Sequence, residues 1–256
     1  SKQLGIHICG GKGNHSRATP AELLRIAGQT GLDGHSLVRS SKLSAKVDNT
    51  AIQDGFQLYL HHFIVSDNGL WTVVQQGMDT QSSMARRYHW HSGSLRSFVD
   101  EPHTGVCGIN QGSILNLTAS EADITRNSIM GMVAEEPLKM LNEVQKLLLP
   151  RHHDVRAEDV NLKRLGSVLW LSQEQQPADF EELLLLQGVG PRTLQSLTLV
   201  SEVIHGTPSR FKDPARFSFA HGGKDGHPFP VPVNVYDETI KVLQTAVEKA
   251  KLGHTE

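Results

Sequence analysis

Apolar and polar positions in the first half of the chain bunch and alternate with the short period of strands, and in the second half they recur with the 3.6-residue period of helices. "LGIHIC" (Leu4 to Cys9) predicts a short buried strand running into "GGKGNHS", a glycine-rich loop. "TPAELLRIAGQTG" then carries the marks of a helix start, with Thr19 as N-cap, Pro20 at the first helical position and Glu22 completing a capping box. In "FQLYLHHFIVSDNGLWTVVQQGM" two β-rich runs flank Asp67-Asn68-Gly69, and Asn-Gly accepts the positive φ angles of a tight hairpin turn. Later, "EEPLKMLNEVQKLLLP" and "AEDVNLKRLGSVLWLS" read as helices, and "PADFEELLLLQGVGPRTLQSLTLVSEVIHG" reads as helix, tight turn and helix. The expected fold class is α+β. A mixed portion with a glycine-rich loop and a β-hairpin spans 1–128, and a helical portion spans 129–256.

Composition narrows the setting. No apolar run approaches the roughly 20 residues needed to span a bilayer, and no charged-then-apolar leader opens the chain, so a cytoplasmic protein is expected. Cys9 and Cys107 lie far apart with no CxxC spacing, which suits a reducing compartment. The net charge of −2 gives no global attraction to nucleic acid, so any such binding rests on a local patch or on backbone groups. Histidines at 61–62, 103 and 152–153 invite a metal reading, but none shows HExxH or another ordered ligand spacing, and neither metal nor other cofactor is expected.

Three stretches carry candidate chemistry. Strand, glycine loop and helix at 4–30 suit an anion, because loop amides and a helix N-terminus favour negative charge, and a plain connection is the alternative. The hairpin brings Gln76 next to "MARRYHWHS", where Arg86, Arg87, Tyr88, His89 and Trp90 offer guanidinium groups beside stacking rings, as phosphates and an unstacked base require. The same residues equally suit a half-buried Tyr and Trp with solvated arginines. Gln187-Gly188-Val189-Gly190, followed by Pro191, Arg192 and Thr193, resembles the helix-hairpin-helix motif. There, glycines let backbone N–H groups approach a DNA phosphate at the positive end of the second helix.

That resemblance extends to the base-excision DNA glycosylases, in which a "FPVDTHV"-like segment with a functional aspartate follows the motif. This chain has "FPVPVNVYD" (Phe229 to Asp237), with Pro232 where the aspartate would stand. Taken whole, "GIHICGGKG", "SRATPAE", "QQGM", "ARRYHW", "EPH", "GVGPRTLQSL" and "HGGKDGHPFPV" resemble, in order, the bacterial and archaeal domain of unknown function 763 family. That family's pattern includes an N-terminal segment expected to be missing from this chain, which starts Ser-Lys. The family name implies no activity.

The residues themselves point to attack by a lysine amine on the aldehyde of an abasic sugar, or on a sugar losing its damaged base. A Schiff base makes the sugar an electron sink, a base removes a proton and the 3′ phosphate leaves. Lys224, between Gly223 and Asp225 and flanked by His221 and His227, is the first candidate amine, and Lys12 in the other "GGK" stretch is the second. Asp225 or Asp237 would orient or deprotonate. The expected function is thus a DNA-repair enzyme of glycosylase/AP lyase type whose partner is damaged or abasic DNA. A metal-dependent nuclease and a non-catalytic nucleic-acid-binding module are the alternatives.

Overall fold

The computed structural model describes residues 5–79, 82, 84–148 and 161–216, together with 237, 240, 241, 244 and 245. Mixed α and β structure with antiparallel sheets is observed, in agreement with the α+β expectation. The main sheet has five strands in the order β1 (Ile6–Lys12), β3 (Gln57–Ser66), β4 (Trp71–Met78), β5 (Ala85–His91) and β6 (Gly105–Cys107). A smaller sheet joins β2 (Ile52–Gln53), β7 (Ser113–Asn116) and β8 (Phe211–Lys212). The helices are α1 (Thr19–Thr30), α2 (Gly34–Lys46), α3 (Asp123–Ala134), α4 (Pro137–Leu148), α5 (Leu162–Gln175), α6 (Phe180–Leu185) and α7 (Pro191–His205).

The β3–β4 hairpin forms where Asn-Gly predicts it. Gly69 takes φ 85°, and Ser66 N–H bonds the Leu70 carbonyl at 2.9 Å. Helices α1, α4, α5, α6 and α7 lie in the segments whose apolar spacing is helical. Helix α2, which that spacing does not announce, starts on Asp33, whose carboxylate accepts from the amides of His35 and Ser36.

The glycine stretch departs from expectation. "GGK" is no loop: Gly10, Gly11 and Lys12 finish β1, paired with His62, His61 and Leu60 of β3, and a 3₁₀ turn over Gly13–Ala18 follows. Thr19 does not cap α1, since its hydroxyl donates to the Ser16 carbonyl, and Glu22 reaches back to the Gly10 amide at 2.7 Å. The amide expected to greet an external anion is therefore satisfied by the chain's own carboxylate.

Helices α1 and α2 cover one face of the main sheet. Leu23, Ile26 and Leu37 meet Phe63, Val65, Val73 and Trp90 there. Ile129, Leu169, Leu183 and Leu197, from α3, α5, α6 and α7, belong to the same apolar cluster, so sheet and helices share one core. No helix among the described residues is long and apolar enough to cross a membrane.

Gly10 holds φ 83°, and a Cβ there would stand 2.3 Å from the His61 carbonyl oxygen. Gly10→Ala is therefore expected to lower unfolding stability by more than the roughly 1–2 kcal/mol of a left-handed alanine. Gly13→Ala, at φ 59° with open space around it, is expected to cost about that amount and no more. Chemical denaturation of the two variants measures the difference.

Candidate functional site

Helix α2 ends in a π-helical turn, Val47–Ala51, that turns Asp48 into the protein interior, where it is completely buried. Its Oδ2 accepts hydrogen bonds from Gln75 Nε2 at 2.5 Å and from the Trp90 indole at 3.0 Å, while Oδ1 meets His103 Nε2 at 2.5 Å. Gln75 Nε2 also donates to the Ser44 carbonyl, which leaves Gln75 Oε1 to accept from His61 Nδ1 at 2.9 Å. His61 Nε2, being the unprotonated nitrogen of that tautomer, accepts from the Ser41 hydroxyl at 2.9 Å. A continuous buried polar chain, Ser41–His61–Gln75–Asp48–His103, thus runs beneath the sheet. Each end borders a cavity, one of about 220 Å³ at Ser41 and His61 and one of about 670 Å³ at His103. Burial lowers the His61 pKa and keeps the ring neutral.

A second buried knot lies alongside. Arg86 is fully enclosed; its Nη1 reaches Asp54 at 2.9 Å and its guanidinium grips both oxygens of Asp213 at 3.0 and 2.8 Å. The Tyr88 hydroxyl donates to Asp54 at 2.6 Å, and burial drives the phenol pKa well above its ordinary value. Arg86, Tyr88 and Trp90 were candidates for phosphate and base contacts; the structure corrects that assignment. The strand's alternation turns all three toward the helix-covered face, where each has no exposure and finds its polar partner inside the protein.

The intervening residues of β5, Arg87 and His89, lie on the opposite face of the sheet. There the register lines up Lys12, Leu60, Gln76, Arg87 and Cys107 in one row across all five strands. Three candidate residues, Lys12, Gln76 and Arg87, thus share a face. Lys12 is exposed, its ammonium 5.8 Å from the centre of the Tyr59 ring. Burial and the neighbouring Arg87 lower the pKa of His89, in the next row of that face. Among the described residues no group of three or more His, Cys, Asp or Glu side chains is placed to hold a metal ion.

The segment "LQGVGPRT" forms a tight turn between α6 and α7. Gly188 has φ 90°, and Gly190, in extended conformation, is the N-cap of α7 with Pro191 after it. Thr193 is buried and braces the turn through its hydroxyl on the Gly188 carbonyl, while Arg192 is exposed. Lys46 donates to the Val189 carbonyl at 2.5 Å and Gln53 to the Pro191 carbonyl at 2.8 Å. Burial lowers the Lys46 pKa. Lys224 and Asp225 fall outside the described residues, and Asp237 is exposed.

Sequence reading singled out none of Asp48, Asp54, Asp213, Ser41 or Lys46. His61 drew attention only as a metal candidate, and His103 as that and as the end of "EPH". The available signal was in the partners: a Gln and a Trp in strand-like segments and a His in the loop before β6 need a buried acceptor, and Asp48 supplies it.

The family model described as "Protein of unknown function (DUF763)" matches residues 1–231, and the chain belongs to that family. No curated protein and no solved structure matches it.

Trp90→Ala is expected to cost about 3–5 kcal/mol of stability, from the lost ring and an abandoned acceptor on Asp48. Acid should also weaken the fold. His61 and His89 have folded pKa values below the unfolded value, so below about pH 6.5 the unfolded state binds more protons and gains on the folded one. The melting temperature is expected to fall as pH drops through that range, and less steeply in His61→Gln; a series of melts from pH 8 to pH 5 would measure both slopes.

Proposed function

We propose that this member of the DUF763 family is a cytoplasmic DNA-repair enzyme of base-excision type. It holds damaged or abasic DNA through the turn at 187–193 and breaks the strand through a lysine Schiff base. What supports the DNA contact is the backbone at Gly190. Its extended conformation suits any residue, and a Cβ there would meet nothing nearer than the tip of Arg164 at 3.7 Å. No described residue asks for glycine at this position, whereas a phosphate drawn against the α7 amides would. Exposed Arg192 adds a cation at the same helix start.

The lysine chemistry follows the order of its bonds. The neutral amine attacks C1′ of the open sugar and water leaves, giving the imine. Loss of the C2′ proton then sends its electron pair into a C2′–C3′ double bond as the C3′–O bond breaks and the phosphate departs. Lys224 is the first candidate for the amine. Lys12, exposed on the sheet face that also carries Gln76 and Arg87, is the second.

Gly190→Ala is expected to leave the melting temperature unchanged and to weaken DNA binding at least tenfold; equal affinity would remove the turn from the interface. Incubation with abasic-site DNA and borohydride is expected to freeze a covalent adduct without metal, and Lys224→Ala to abolish it. Adduct that persists in Lys224→Ala and vanishes in Lys12→Ala moves the amine to β1. Absence of any adduct, with cleavage that requires a divalent ion, makes the protein a nuclease instead.

A further inference from the structure

The larger cavity at the end of the buried polar chain is built as a site. Its volume of about 670 Å³ lies within the range of small-molecule pockets. His103 lines it with a side chain only 5% exposed. The ring's Nε2 is fixed on Asp48, and its other nitrogen, Nδ1, has no hydrogen-bond partner among the described residues. In the neutral ring with its proton on Nε2, Nδ1 is a hydrogen-bond acceptor.

The cavity's charges come in two kinds. Lys212 and Arg216 line it with no carboxylate partner among the described residues, and Glu101 and Glu121 line it with no cation partner among them. Glu101 is held at φ 42°, a left-handed conformation rare for this residue, by its amide's bond to the Thr118 carbonyl at 2.8 Å. The floor is rigid: Asn116 donates to the Lys212 carbonyl at 2.9 Å, and its own oxygen accepts from both the amide and the hydroxyl of Thr118. Among the described residues, two exposed cations without a carboxylate partner ask for an anion, while two exposed carboxylates without a cation partner and an imidazole acceptor ask for hydroxyl donors. A simple anion meets only the first demand and a simple cation only the second.

We propose that this cleft binds a phosphorylated sugar, with its phosphate on Lys212 and Arg216 and a hydroxyl donating to Nδ1 of His103. Glu101 and Glu121 accept from its remaining hydroxyls. The same chemistry is offered by a free sugar phosphate and by the phosphate-bearing end of a DNA strand.

The test uses the full chain with ¹⁵N-labelled histidine, following the ring nitrogens of His103. Ribose 5-phosphate, or a short oligonucleotide ending in a 3′ phosphate, is expected to shift those signals saturably. The same oligonucleotide ending in a hydroxyl is expected to shift them at least tenfold less effectively. Tighter binding of the oligonucleotide assigns the site to strand ends; tighter binding of ribose 5-phosphate assigns it to free sugar phosphates. His103→Gln disturbs Asp48 and risks the fold, so the deciding variant is the exposed pair Lys212→Ala/Arg216→Ala, which is expected to weaken binding at least tenfold with an unchanged melting temperature. Signals of His103 that move with neither phosphate probe, or affinity that survives in the double variant, overturn the proposal.

Discussion

A carboxylate with no access to water must have its hydrogen bonds supplied by the protein, and Asp48 imposes that requirement on the whole N-terminal half. Removing such a group from water costs several kcal/mol, and the cost is offset only when every donor arrives in good geometry. Gln75 from β4, Trp90 from β5 and His103 from the loop before β6 converge on it, so its demands fix the phase of two strands and the path of the following loop. A one-residue slip of β5 would turn Trp90 outward and strip Asp48 of a donor while also expelling Arg86 from Asp54 and Asp213. The polar interior therefore specifies register, which the apolar contacts of Val73 or Phe63 do less selectively.

Residues 46–54 extend that control beyond the sheet. Lys46 and Gln53 hold the carbonyls of Val189 and Pro191 on either side of Gly190, while Asp48 holds His103 and Asp54 holds Arg86 and Tyr88. One short segment, part of it a π-helical turn, thus fixes the α6–α7 turn, the His103 cleft and the inner face of β5 together. Any reaction at the cleft and any ligand at the turn would share this strut.

What was legible in the chain was what local rules decide. Asn68-Gly69 announces its hairpin through turn chemistry, and α1, α4 and α7 announce themselves through apolar spacing. Helix α2 stayed hidden because its inward positions include Ser40, Ser41 and Ser44, which are buried for hydrogen bonding and leave little apolar periodicity. "ARRYHW" was ambiguous for a related reason: an arginine occurs in each phase of the strand, so alternation does not say which of the two is inside. The answer depends on Asp54 and Asp213, 32 and 127 residues away from Arg86 along the chain, and no local pattern encodes that distance.

The same reasoning separates the two kinds of glycine in the molecule. Gly10 is required from within, by its φ angle and by the His61 carbonyl pressed against it, and its amide is already taken by Glu22. Gly190 is required by no described residue, and its neighbours in the turn are carbonyls held by Lys46 and Gln53. Two glycine-rich stretches that look alike as anion sites in sequence therefore part company in structure: the first closes on its own carboxylate, and the second starts its helix with no side-chain cap.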